Sequence, residues 1–460
     1  MVLNFNDKKM PKHSHAWVVT VDMGYGHQRA AYPLRALSPD SRVLIANNYQ
    51  GIPAKDKRIW NNSRQVYELV SRFKNIPWLG NMVFNAMDYF QRIPDFYPYR
   101  DLSKPTLQLI TTYKWIRNKK WGKDLIDFMN RGNGERPIVS TFFIPAFMAE
   151  EHGYKGEIYC VICDADCSRA WAPLNPQKSR IKYFAPCQRV MERLQLYGVK
   201  KENIFLTGFP LPKENIGGKK LKILKKDLAR RILNLDPCGH YRQKYGRTVS
   251  EFLRQNRDVR ALPKTCAKSV PTITFAVGGA GAQRQIASDI LFSLKDKISK
   301  GKINLNLVAG NRNDVCLYFK KLIQKAGLGK RLNKNLKIIF ALNKEDYFAL
   351  FNQALRATDV LWTKPSELVF YAALGLPIIM APSVGSQEDF NRAWLKTIGA
   401  GISQNDPKLT HEWLFDWIQS GWLARAAMSG FLDERQFGAY SIEDVLFKGA
   451  KEPTKNYQLL

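Results

Sequence analysis

The sequence predicts an α/β protein in two halves, each a parallel sheet covered by helices. Three observations predict it. Short apolar runs alternate with helical patterns along most of the chain, and such alternation builds parallel sheets with helices on their faces. The runs fall into two series, split by a basic stretch near 210–270. Glycine turns follow the first strand of each series, at the strand end where open α/β sheets bind ligands.

In the first series the candidate strands are AWVVTVD (16–22), RVLIAN (42–47), PIVSTFF (137–143), EIYCVIC (157–163), RIKYFAP (180–186) and NIFLTGF (203–209). The second holds TITFAVG (272–278), NLNLVAG (304–310), LKIIFAL (336–342), ATDVLWT (357–363) and LPIIMAP (376–382). Each half is therefore expected to be Rossmann-like. The domains are expected at 1–212 and 271–430, with a basic linker or insertion at 213–270 between them. A tail, 431–460, is expected to be able to cross back to the first domain.

A chain of 460 residues is long enough for two or three full cores. Its charge is unusual: 71 Lys and Arg against 40 Asp and Glu, a formal +31. Such an excess implies a polyanionic partner: nucleic acid, an anionic membrane surface or phosphorylated substrates. No stretch is apolar over the ~20 residues that a spanning helix needs. MVLNFNDKKMPKHSHAW has no apolar core, so no secretory signal is expected. Seven cysteines in a long chain fit reduced thiols in a cytosol. Cys160, Cys163 and Cys167 have metal-like spacing, but Cys160 and Cys163 fall in an apolar run, so core cysteines and no metal are expected.

Two segments stand apart. Residues 218–269 hold 8 Lys and 7 Arg against 4 Asp and Glu. KKLKILKKDLARRIL within them can form a basic amphipathic helix, either bound to an anionic membrane or simply solvated. Residues 57–122 mix Trp60, Trp78, Trp115 and Trp121 with other aromatics, Arg and Lys. That mixture suits a membrane interface, stacked bases or a core, and core packing is expected for about half of them.

The chemistry is expected at three turns. Gly24, Tyr25, Gly26 and His27 follow the first strand. Glycine permits the tight turn. It sets His27, whose ordinary pKa is ~6.5, at the crevice as a proton acceptor. Gly278, Gly279 and Gly281 follow the seventh run and can bring backbone N–H groups to a phosphate. Then Thr363, Lys364, Pro365 and Ser366 open a helix, with Ser366 as its cap. The loop after IIMAP carries Gln387, Glu388 and Asn391, acceptors and amides that suit sugar hydroxyls. Diphosphate at helix termini and polyol at a carboxylate–amide loop together fit a nucleotide-sugar donor.

These motifs, in order, resemble the two-domain GT-B glycosyltransferases of the monogalactosyldiacylglycerol synthase type, related to the bacterial enzyme that adds N-acetylglucosamine to lipid I. The matching stretches are GYGH (24–27), CDADCSRAW (163–171), YFAPCQRVMERLQLYGVKKENIFLTGFPL (183–211), VGGAGA (277–282), ALNKEDY (341–347), TKPSE (363–367) and GLPIIMAPSVGSQEDFN (375–391). The resemblance implies the GT-B architecture, two Rossmann-like domains whose parallel sheets face across a cleft. It implies an inverting, metal-independent transfer without cofactor, from a UDP-sugar to a lipid acceptor such as diacylglycerol. His27 would be the general base, and Asp164 would orient it or the acceptor. Gly24, Tyr25, Gly26 and Trp171 would lie on the acceptor side. The donor would be held by Gly278, Gly279, Gly281, Asn343, Thr363, Lys364, Pro365, Ser366, Glu367, Gln387, Glu388 and Asn391. The family's usual glycine is replaced here by Glu367, and its ribose-binding glutamate by Phe370. Glu367 lies one turn earlier on roughly the same face and is expected to substitute. Asp164-Ala165-Asp166 spells the acidic motif of metal-dependent transferases of another fold, and is read as coincidence.

The expected location is cytoplasmic and peripheral to a membrane, held there by the 218–269 segment. A nucleotide-sugar epimerase, a transferase to a soluble acceptor, and a non-enzymatic membrane- or nucleic-acid-binding protein are the alternatives. Nucleic acid is not expected, since no RNA-binding motif is present.

Overall fold

A computed structural model describes residues 15–62, 93–131, 135–254, 270–276, 278, 283–383 and 385–450. The described residues form two six-stranded sheets, all parallel. The first contains β1 (Trp17–Thr20), β2 (Leu44–Ile45), β3 (Ile138–Ser140), β4 (Ile158–Val161), β5 (Lys182–Ala185) and β6 (Ile204–Leu206), in the order β2-β1-β3-β4-β5-β6. The second contains β7 (Thr272–Ala276), β8 (Asn304–Gly310), β9 (Leu336–Phe340), β10 (Val360–Thr363), β11 (Ile378–Met380) and β12 (Gly401–Ser403), in the order β12-β11-β10-β7-β8-β9.

All eleven expected strands form, each within its apolar run. Central strands such as β4 and β7 are buried along their whole length, which is why they read as unbroken apolar runs. The edge strand β12 was not expected. It is three residues long, GIS, and starts on glycine, too short for any pattern to show.

Each sheet has its own core. That of the second half extends across the boundary: Ala30, Tyr32, Cys163, Ala165, Phe209 and Leu211 of the first half are buried in it. The helix Gly438–Lys448 lies on the first sheet, with Ala439, Ile442 and Val445 packed among Val18, Val139 and Phe184.

The basic segment corrects an expectation. The helix Lys222–Asn234 is neither a free membrane-binding helix nor a solvated linker. Leu224, Leu228 and Ile232 are buried in the second core. Arg231, 2% exposed, donates to three carbonyls: Thr358 at 2.7 Å, Leu374 at 2.6 Å and Leu355 at 2.8 Å. It thereby satisfies carbonyls at two helix ends that would otherwise be orphaned. Burial, aided by Arg230, pulls its pKa down to about 10. Residues 255–269 of the segment lie outside the described residues.

The aromatic segment divides. Trp60 and Trp121 are core, with ring centroids 4.7 Å apart, while Tyr97 and Tyr99 are exposed. Trp78 and the other aromatics of 63–92 lie outside the described residues. Cys160, Cys163 and Cys167 are free and buried. Among the described residues no group of His, Cys, Asp and Glu is placed to hold a metal ion. Nor is any described helix long and apolar enough to cross a membrane.

Candidate active site at the domain boundary

The carboxyl ends of the two sheets meet. The helix Tyr25–Ala31 follows β1 and enters through Gly24, whose φ of 112° favours glycine. Gly26 faces the second half: a Cβ there would lie 3.1 Å from Glu367 Oε2. The turn thus needs glycine twice, once for conformation and once for close approach.

His27 is half-buried, its ring 4.8 Å from that of Phe142 and 6.0 Å from that of Trp171. Its Nδ1 is buried without a hydrogen-bond partner among the described residues. Burial lowers its pKa to about 4, against the opposing pull of the Glu367 carboxylate and the Thr141 backbone. At neutral pH the imidazole is uncharged.

Asp164 sits just beyond β4. Its Oδ1 accepts from Asn391 Nδ2 at 2.8 Å, and the Ala165 N–H donates to Asn391 Oδ1 at 2.7 Å. Burial raises the carboxyl to about 7; the Asn391 bond opposes this, and Glu367 and Glu388 add to it. Both groups feel the Glu367 carboxylate, and strongly displaced pKa values gathered about one charge mark a place suited to proton transfer.

The donor-side residues divide into those placed together and those used elsewhere. Lys364 lies along the second glycine turn, where a Cβ on Gly278 would be 2.8 Å from its Cε, and its ammonium pairs with Glu388. Thr363 ends β10, and the Pro365 carbonyl accepts from Asn391 Nδ2 at 3.1 Å. Gln387 folds back on Gly385. Gly279 and Gly281 lie outside the described residues.

Several expectations are corrected. Glu367 is not free for a ribose: it is buried and paired with Arg29 of the first half. Burial alone would raise its pKa, but Arg29, Ser366 and Lys364 hold it below the usual value. Phe370 is also core, stacked on Phe209 at 5.1 Å. Asn391 is fully buried, its amide spent on bonds to Asp164, Ala165 and Pro365 rather than turned to a sugar. Asn343 caps the helix Lys344–Ala357, accepting from the Asp346 N–H at 2.8 Å. Ser366 makes no capping bond to the 3₁₀ helix Glu367–Leu374. Tyr25, expected on the acceptor side, reaches into the second half. Its hydroxyl donates to Asn311 Oδ1 at 2.6 Å and accepts from the Asn311 N–H at 3.0 Å. Asp166 forms a bidentate pair with Arg193 at 2.8 Å, both buried. That is a structural use, in keeping with a coincidental motif.

Sequence reasoning missed Arg29. Its guanidinium also donates to Tyr347 Oη at 2.7 Å and lies 4.9 Å from the Phe351 ring centroid. A signal was present: Tyr25 and Arg29 are four apart on one short helix, so both face the same neighbour.

Two parallel six-stranded sheets meeting at their carboxyl ends define the GT-B class of fold. A family described as "Domain of unknown function (DUF6938)" matches residues 238–421. No curated protein matches the chain. Among solved structures, MurG of Acinetobacter baumannii is similar at 12% identity, over 94% of this chain and 99% of that one, with a TM-score of 0.44. UDP-GlcNAc 2-epimerase of Neisseria meningitidis, bound to UDP-GlcNAc, is similar at 11% identity over 80% and 88%, TM-score 0.41. A glycosyltransferase of Rickettsia africae is similar at 9% identity over 94% and 98%, TM-score 0.40.

Proposed function

We propose that the chain is an enzyme of nucleotide-sugar chemistry that moves a hexose from a UDP-sugar to a lipid acceptor such as diacylglycerol. One observation carries the reading: the glycine turn after β1 sets His27, an uncharged imidazole at neutral pH, beside Phe142 and Trp171 where the two halves meet. In this reading His27 takes the proton of the acceptor hydroxyl as that oxygen attacks the anomeric carbon from the face opposite the leaving group. The nearby Glu367 carboxylate favours the imidazolium that forms. Lys364 exchanges Glu388 for the departing diphosphate, beside Gly278. The step uses no metal. Phe142 and Trp171 present an apolar wall to the acceptor. The +31 charge and the exposed Tyr97 and Tyr99 support action at an anionic membrane surface.

The test is a panel of UDP-sugars scored first by thermal stabilisation, then by UDP release with diacylglycerol vesicles. His27→Ala keeps the stabilisation and loses about 100-fold or more in turnover. A panel without any stabilising UDP-sugar overturns the reading, and full turnover in His27→Ala removes the base.

Asp164 favours a second reading, epimerisation of the nucleotide sugar. A carboxyl near 7 can both give and take a proton. Incubation in D₂O separates the two: epimerisation places deuterium on the sugar without an acceptor, and transfer does not.

A further inference from the structure

We propose that a lysine-ringed concavity on the second half binds a phosphate-bearing anionic ligand. It shares no residue with the site at the domain boundary. It lies where the helices Arg284–Ser293 and Lys295–Ser299 approach the start of the helix Thr410–Gln419. Its volume is about 580 Å³, within the ~300–1,000 Å³ of small-ligand sites. Lys295, Lys297, Lys300, Lys302 and Lys408 line it, with Phe292 among them.

The charge does not balance internally. Asp289 and Asp296 are the acidic residues lining the concavity, against five lysines. Among the described residues none of the five ammonium groups forms an ion pair. Five like charges around one hollow repel one another, and a ligand with clustered negative charge relieves that repulsion. Ammonium groups act as point charges and need no planar partner, which suits phosphate oxygens.

The hollow is also held in shape. Ser293 Oγ lies 3.0 Å from His411 Nδ1 and accepts from the His411 N–H at 3.0 Å, tying the two walls together. Lys297 Nζ rests 4.6 Å from the Phe415 ring centroid, which limits its freedom. Phe292 is 41% exposed and offers an apolar face beside the ammonium groups. A phosphate joined to a ring or an apolar chain matches that pairing.

The test uses the full chain and two probes. Inorganic pyrophosphate is titrated calorimetrically. Phosphatidylcholine vesicles with and without phosphatidylserine are co-sedimented at one salt concentration. The triple variant Lys300→Glu, Lys302→Glu, Lys408→Glu changes exposed side chains only. Lys155→Glu, Lys178→Glu, Lys201→Glu is the control, with the same charge change on exposed positions of the first half. The expected result is that the hollow variant loses about tenfold or more in affinity for at least one probe while the control stays near wild type. Loss confined to pyrophosphate identifies a soluble phosphate ligand, and loss confined to the anionic vesicles identifies a lipid headgroup. Equal losses in both variants reduce the effect to net charge and overturn the proposal. So does wild-type binding untouched by the hollow variant, or the absence of binding to both probes. UDP-sugar stabilisation unchanged in the hollow variant keeps the outcome separate from that of the boundary site.

Discussion

Arg29 and Glu367, 338 residues apart, form a buried ion pair across the domain boundary. Neither side chain is more than 9% exposed. Arg29→Ala leaves the Glu367 carboxylate buried and uncompensated. The expected cost is about 3–5 kcal/mol, read from the midpoint of chemical denaturation. The double change Arg29→Met, Glu367→Leu recovers most of it, because no charge is then stranded. Glu367 is held below its usual pKa, so its contribution is present above the unfolded value of ~4.3 and lost as pH falls below it. A cost under about 1 kcal/mol for Arg29→Ala would show that the pair does not hold the halves together.

Asp164 works in the opposite sense. Its carboxyl is raised from 3.8 to about 7, so the folded state holds a proton that the unfolded state releases earlier. Stability therefore falls as pH climbs from 3.8 to about 7. Asp164→Asn keeps an acceptor for Asn391 and removes the titration. It is expected to stabilise by on the order of 4 kcal/mol at pH ~8 and by little at pH ~4. Thermal melts at the two pH values check this, and a gain equal at both counts against it.

Arg231 bonds three carbonyls from a buried position. Arg231→Met retains much of the apolar stem and deletes the donors. A loss of about 3 kcal/mol or more is expected, since buried carbonyls are left unpaired. Hydrogen exchange should rise first at the amides of 355–359 and 372–375. Unchanged exchange there would place the helix outside the cooperative unit of the second half.

Gly310 has φ 69°, and a Cβ on it would lie 2.3 Å from Tyr25 Oη. Gly310→Ala must displace Tyr25 as well as strain the backbone. It is expected to cost about 2 kcal/mol or more, whereas Tyr25→Phe, which loses only the Asn311 bonds, costs about 1. Tyrosine fluorescence quenching by iodide should increase in Gly310→Ala, and an unchanged value would mean that Tyr25 is not displaced.

Eleven of twelve strands were legible, the central ones such as β4 and β7 because a strand buried on both faces needs an unbroken apolar run. β12 was not, since three residues beginning with glycine carry no pattern. The turn at Gly24–His27 was legible from glycine spacing after a strand. Arg29 was not, because its role depends on Glu367 and Tyr347, which local spacing does not bring into view. In the basic helix, periodicity disclosed an apolar face but not what covers it.

Local pattern alone determined two parallel α/β halves, their order, and the turns at which chemistry would gather. Which side chains at those turns remain free was decided by tertiary structure. Glu367, Asn391 and Asn343 have the functional groups a sugar site needs, yet each is engaged by a protein group. A hydrogen bond forms or fails over a few tenths of an ångström. That distance is set by how two sheets meet, and nothing in a short stretch of sequence encodes it.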